Sequence, residues 1–180
     1  VSSPLPTRTV PVSSIAPQPI PAWATLRHCA DTLSFFHQVI TDLAGKLGPV
    51  LFQLPPTLKK DAALLEMFLG DVPEGMRCAF EFRDPSWFDE EIFALLRGRN
   101  LALCIADSEK LATPDVATAN YGYLRLRRED YEAADVVRWA AAVKEHTSTW
   151  SAPFVSFNHP ARGIVPKQYH AIIAPLGQGG

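Results

Sequence analysis

The spacing of hydrophobic residues changes repeatedly along the chain, and each spacing predicts a different element. Apolar residues recur every three or four positions over 26–47, which predicts one long helix with an apolar stripe. The next apolar run, Pro49 to Leu54, is short and ends at two prolines, as expected of a strand covered on both faces. Helical spacing returns after Asp61, a residue type suited to capping a helix N-terminus.

The same alternation continues to the end of the chain. Further strands are predicted over 78–83, 101–107, 121–126 and 153–158, with helices over 86–96, 131–145 and 167–174. Strands that alternate with helices indicate an α/β fold with a parallel sheet. A TIM barrel has eight strands and needs about 250 residues, so this chain has room for only a partial, TIM-barrel-like domain, over 25–180.

Residues 1–24 have a different composition. Prolines recur there among Ser, Thr and Val, and the apolar residues follow no period. Such a segment cannot bury enough apolar surface to offset the entropy lost on ordering. We therefore predict a disordered or extended tail.

Composition narrows the functional classes. Of the 180 residues, 47% are hydrophobic and 20% are charged, and the net charge of −2 gives no overall attraction to nucleic acid or anionic membranes. The 3 cysteines are too scattered for a disulfide framework or a paired metal site. The sequence has no signal peptide, no membrane-length apolar run and no glycine-rich phosphate loop. We expect a cytoplasmic protein with neither a metal nor a cofactor.

Polar side chains lie near the carboxyl end of each predicted strand. They are Gln53, Glu81, Arg83, Asp107, Arg125 and Asn158. In α/β folds this end of the sheet carries the site, and in a barrel the strand ends converge on one mouth. Arginine can clamp a carboxylate or phosphate, carboxylates in different surroundings can divide acid and base roles, and amides orient substrate oxygens. The alternative is a buried network, such as Glu81 with Arg125, that only closes the barrel interior.

Strand alternation makes a further prediction on the third strand. Cys104 is out of phase with Leu103, Ile105 and Asp107, so we expect Asp107 to face the site and Cys104 to face the helices as an inert thiol. Among the histidines, His159 alone sits at a predicted strand end, where an imidazole could act as an acid, a base or a metal ligand.

Five motifs together resemble the YecE-like family, the domain of unknown function 72. They are LGPVLFQLPP, AFEFRDPSWF, LALCIADS, YGYLRLRREDY and FVSFNHPARGIVP, in this order along residues 26–175. The resemblance implies a TIM barrel with a polar pocket at its carboxyl mouth and no assigned activity, and the six polar residues named above occupy motif positions. Asp84 stands where the family often has histidine, and Arg127 and Arg128 stand where it often has His-Gly. The family's opening strands have no counterpart, so we expect about three barrel strands to be missing from a fragment or truncated chain.

These observations leave three functional hypotheses. The first is an enzyme, or an enzyme remnant, for a small anionic or phosphorylated substrate, with Glu81 and Asp107 as acid and base and the other four polar residues binding substrate. The second is a nucleic-acid module whose phosphate contacts are Arg97, Arg99, Arg125, Arg127 and Arg128. The third is a truncated fold with no independent function, which would self-associate through unpaired sheet edges at Val50 and Val155.

Overall fold

Strands and helices alternate along the computed structural model, which describes residues 30–41, 48–108, 111–128 and 131–157. The elements are α1 (Ala30–Thr41), β1 (Val50–Gln53), α2 (Ala62–Asp71), β2 (Cys78–Glu81), α3 (Glu90–Gly98), β3 (Ala102–Asp107), β4 (Tyr121–Leu126), α4 (Ala133–Glu145) and β5 (Ala152–Phe157). Short 3-10 turns cover Pro85–Trp87 and His146–Ser148. The predicted tail, the last predicted helix, Asn158 and His159 lie outside the described residues.

The five strands form one parallel sheet in the order β1-β2-β3-β4-β5. Each strand pairs with its neighbour in sequence, which is the strand order of a β/α barrel. Over the described residues the sheet is open rather than closed into a ring. The predicted α/β fold with a parallel sheet is confirmed.

One face of the sheet packs against the helices. The rings of Phe52 and Phe80 stack with centroids 5.4 Å apart, and the ring of Phe68 from α2 meets both edge-on at 5.2 and 5.9 Å. Leu103 joins this cluster from β3, and Ile105 belongs to the cluster that packs on α4. We call the opposite face the inner face. Its buried apolar residues include Leu51, Ala79, Ala102, Cys104, Tyr121, Tyr123 and Phe154.

Small side chains on the inner face of β3 let β4 reach β2. Ala102, Cys104 and Ala106 leave room above β3, and Tyr121 extends across it. Its hydroxyl donates to the Cys78 carbonyl at 2.9 Å and accepts from the Cys78 amide at 3.0 Å. Burial raises the pKa of Tyr121, so the phenol stays protonated and keeps both bonds.

Capping aspartates set the starts of α2 and α3. Asp61 accepts a hydrogen bond from the Leu64 amide at 2.9 Å, which confirms the predicted N-cap of α2. The predicted helix over 86–96 was wrong in its start. Asp84 caps only the 3-10 turn, and Asp89 begins α3 as a second N-cap, so the two carboxylates divide the segment into two pieces.

Replacing Gly122 should destabilise the fold, because a β-carbon there would lie 2.5 Å from the Trp150 ring. We expect Gly122→Ala to lower the free energy of unfolding by about 1–3 kcal/mol, the usual range for overpacking, as measured by urea denaturation. Gly98→Ala is the matched control. An added β-carbon there meets no atom within 4 Å, so the alanine should be neutral or gain up to about 1 kcal/mol of helix propensity. Equal stability of Gly122→Ala and the wild type would contradict this packing.

Candidate functional site

Glu81 lies at the carboxyl end of β2 and is 1% exposed. Its Oε1 accepts from Gln53 Nε2 at 3.1 Å and from Arg127 Nη1 at 2.7 Å, and its Oε2 accepts from Arg125 Nη1. The Nε of Arg83 lies 3.6 Å from Oε1, within ion-pair distance. Both carboxylate oxygens are therefore engaged. We call these five residues the Glu81 cluster.

Strand register brings the Glu81 cluster together. Gln53 on β1 lies directly beside Glu81, because these two residues are partners in the β1–β2 pairing. Arg125 comes from β4, where it lies beside Ala106 of β3. The small side chains of β3 leave room for the Arg125 guanidinium to cross this strand and reach Glu81 on β2. Four of the six predicted site residues are thus brought together, and Asn158 lies outside the described residues.

The cluster carries more positive than negative charge, and its arginines differ in exposure. The Arg125 side chain is 7% exposed, whereas those of Arg127 and Arg83 are 21% and 35% exposed. Desolvation lowers the pKa of Arg83, the charge of Arg127 lowers it further, and the Glu81 carboxylate opposes both effects. Partly exposed guanidiniums are suited to binding an anion from solution when both oxygens of the neighbouring carboxylate are already engaged.

Asp107 does not join the Glu81 cluster, contrary to the sequence-based expectation. Its Oδ2 accepts from Arg128 Nε at 3.1 Å and from Trp139 Nε1 of α4 at 3.0 Å. Cys104 lies on the inner face instead, where burial raises the pKa of its thiol. The predicted orientation of β3 was therefore wrong for both side chains. Both faces of β3 are buried, so its alternation carries no polarity difference that marks the site.

Arg127 belongs to the site, although its position at the end of β4 did not mark it as a site residue. The Arg127 amide donates to the Asp107 carbonyl at 3.0 Å, so the extended pairing continues beyond the strand and keeps its period of two. Arg127 consequently points to Glu81, as Arg125 does, while Arg128 turns to Asp107 and Asp135. The equal parity of residues 125 and 127 could have revealed this.

The five arginines of the nucleic-acid hypothesis do not form one surface. Arg97 and Arg99 lie at the end of α3, immediately before β3, which is the amino end of the sheet. Arg97 also forms an ion pair with Glu90. The arginines at the end of β4 lie at the carboxyl end of the sheet, where Arg125 and Arg127 both pair with Glu81 and Arg128 pairs with Asp107.

Comparison with protein families gives a match over nearly the whole chain. The model described as a protein of unknown function, DUF72, matches residues 13–179. The chain belongs to the DUF72 family. This agrees with the resemblance carried by the sequence motifs, since YecE-like is a synonym for the same family. A search of curated proteins gives no match.

Two solved DUF72 structures resemble this DUF72 chain. A family protein from Thermotoga maritima superposes with a TM-score of 0.73 at 22% identity, over 87% of this chain and 68% of that protein. A family protein from Enterococcus faecalis superposes with a TM-score of 0.68 at 17% identity, over 82% of this chain and 68% of the other. These neighbours are TIM-barrel-like, and at such identities the likeness concerns the fold alone.

The described part of this DUF72 chain contains neither a group of metal-binding side chains nor a membrane-spanning helix. Within residues 30–41, 48–108, 111–128 and 131–157, no three or more His, Cys, Asp or Glu side chains are grouped to hold a metal ion. No helix in the same ranges has the length and apolarity needed to cross a membrane.

In this DUF72 chain, the loop after β1 and the loop after β2 are joined by a hydrogen bond and an ion pair. After β1, the Leu58 carbonyl accepts from the indole Nε1 of Trp87 at 2.9 Å. The Lys59 ammonium lies 2.7 Å from the carboxylate of Asp84, which comes directly after Arg83. Hydrogen bonds from Lys59 and Ser86 lower the pKa of Asp84 to about 2. These contacts fix the turn from which Arg83 projects.

Acid should weaken the link between these loops. The pKa of Asp84 falls to about 2 in the folded chain, below its usual value of about 3.9, so its contribution to stability is present above about pH 4 and is lost as the pH falls towards 2. We expect Asp84→Asn to be less stable than wild type at pH 7, with the difference shrinking between pH 4 and 2 in urea denaturation. Lys59→Gln should raise the pH at which the loss occurs. A constant difference between Asp84→Asn and wild type down to pH 2 would contradict the role of this carboxylate.

Proposed function

We propose that this chain binds a small anionic molecule at the carboxyl ends of its strands, with Arg83 and Arg127 as the contacting residues. The observation that carries the proposal is the difference in exposure within the Glu81 cluster. Arg125 is buried against the carboxylate, whereas Arg83 and Arg127 are 35% and 21% exposed beside it. A planar guanidinium offers paired donors that match carboxylate and phosphate oxygens.

Glu81 is assigned a positioning role in this proposal. A carboxylate that accepts from Gln53, Arg125 and Arg127 and lies beside Arg83 has both oxygens occupied. It holds the guanidiniums in place and prevents them from separating by mutual repulsion. Gln53 is also assigned a positioning role, because its amide donates to Glu81 and so orients the carboxylate.

An enzymatic step on the bound anion is a more specific hypothesis. It needs a group that transfers protons beside the ligand, and Asp107 is directed towards α4 instead. His159 stays the sequence-based candidate for such a group, and Asn158 stays a candidate for substrate binding. Activity towards a particular substrate class is therefore tested after binding has been measured.

Anion binding is tested by calorimetric titration of the chain with sodium phosphate at constant ionic strength. We expect a saturable signal that Arg83→Gln and Arg127→Gln each weaken by about tenfold or more, because each loses a charged hydrogen-bond donor. Arg97→Gln is the matched control, since Arg97 is exposed, pairs with Glu90 and lies at the amino end of the sheet. An identical signal in all four proteins, or no signal in any, would reject the proposal.

The roles of the two carboxylates are separated by Glu81→Gln and Asp107→Asn. Removing the Glu81 charge leaves the buried Arg125 guanidinium without its partner, so we expect a loss of about 3–5 kcal/mol in the free energy of unfolding. Asp107→Asn should also destabilise, through α4, but the phosphate affinity should stay unchanged. Loss of phosphate binding in Asp107→Asn, with the fold intact, would return Asp107 to the site.

Two other hypotheses are less well supported. Nucleic-acid binding is less well supported because the five arginines do not lie on one continuous surface. The hypothesis is tested by measuring whether DNA or RNA affinity decreases strongly with salt. Self-association through sheet edges is tested by sedimentation, because β1 and β5 are the outermost strands among the described residues. A monomer that melts cooperatively would reject self-association.

A further inference from the structure

The Glu81 cluster has two positive charges in excess among the described residues. Three guanidiniums, those of Arg83, Arg125 and Arg127, surround one carboxylate, and the fifth member, Gln53, is neutral. Since both oxygens of Glu81 are already engaged, the carboxylate cannot offset a second or third positive charge. The excess is located where the strands end.

The neighbouring charged groups within residues 48–108, 111–128 and 131–157 do not remove this excess. Lys59 is paired with Asp84, which is a neutral combination. Beyond β4, Arg128 and Arg138 are paired with Asp107 and Asp135, two positive charges with two negative ones. Lys60 is paired with both Asp89 and Glu91 at the start of α3, a group with one net negative charge whose two carboxylates are engaged by the lysine. Among the residues that the structure describes, these acidic groups already have basic partners, so the surplus stays with the Glu81 cluster.

The excess charge lies on the two accessible arginines. Arg125 is buried against Oε2, whereas Arg83 and Arg127 share Oε1 at 3.6 and 2.7 Å. Arg83 approaches Glu81 through Nε at 3.6 Å, which is longer than a hydrogen bond, so this contact does not use an N–H donor of the guanidinium. Burial and the repulsion from Arg127 both lower the pKa of Arg83, and a bound anion would relieve that repulsion.

We propose that the site selects a doubly charged, tetrahedral anion, a phosphate or sulfate group, over a singly charged carboxylate. The inference rests on the proposed function and specifies its ligand class. A dianion neutralises both excess charges, and its several oxygens can accept from Arg83 and Arg127 at the same time. A carboxylate supplies one charge and leaves one guanidinium uncompensated.

The ligand's own ionisation provides the test. A phosphate monoester gains its second charge near pH 6, whereas sulfate is doubly charged throughout. We expect the affinity of the wild-type chain for glycerol 2-phosphate to rise about tenfold between pH 5 and 8, with sulfate affinity unchanged. Acetate should bind about tenfold more weakly than sulfate at pH 8. Calorimetric titration at constant ionic strength measures all three, and the comparison within the wild type does not depend on a variant folding.

Variants identify the residues that create the preference. Arg83→Gln and Arg127→Gln each remove one excess charge, so the ratio of sulfate to acetate affinity should fall towards one in both. Arg97→Gln should keep the wild-type ratio. A ratio that persists in both site variants would overturn the assignment of the preference to these two residues.

Two further outcomes separate this inference from the proposed function. If acetate and sulfate bind equally and Arg83→Gln abolishes both, the anion site stands and the preference for a dianion is overturned. If no anion binds, the proposed function fails and the inference fails with it.

Inorganic phosphate identifies the source of the group: equal affinity with glycerol 2-phosphate supports recognition of the phosphate alone, and tighter binding of the ester supports a dianion site with an added organic contact.

Discussion

A buried carboxylate, Glu81, determines how the carboxyl ends of the strands are arranged. A charge removed from water costs several kcal/mol unless it is paired and hydrogen-bonded, so a side chain that is 1% exposed must receive donors from its neighbours. β1 supplies an amide, the end of β4 supplies two guanidiniums, and the residue two positions after Glu81 supplies another. This set of donors requires the observed register and the small side chains of β3. The sheet and the cluster therefore depend on each other.

The structural and functional interpretations of the polar residues apply to different members of the cluster. The pair of Glu81 and Arg125 is buried and belongs to the interior of the fold, as the structural alternative expected. Arg83 and Arg127 are attached to the same carboxylate but are partly open to solvent. A rigid buried pair can thus hold exposed donors at fixed positions, which lowers the entropy lost when a ligand binds. This division of roles supports the proposed anion site more strongly than an acid and base pair.

The sequence predicted the elements well because proline, glycine and aspartate mark their boundaries. It also predicted the convergence of Gln53, Glu81, Arg83 and Arg125, since parallel strands place their carboxyl ends together. The orientation of β3 could not be predicted, because a strand buried on both faces shows no polar alternation. Arg127 was considered only as a nucleic-acid contact and not as a partner of Glu81, because its extended pairing continues beyond β4 and depends on the Asp107 carbonyl of another strand.

The dependence of the site on Glu81 is tested most directly by a double-mutant cycle with Glu81→Gln and Arg125→Gln, measured as the free energy of unfolding in urea. If the buried carboxylate holds the arginine, the two losses should not add, and the coupling energy should be about 0.5–3 kcal/mol. The double variant should then be more stable than the sum of the single losses predicts, because neither charge is left alone in the interior. Losses that add to within the error of measurement would contradict the account.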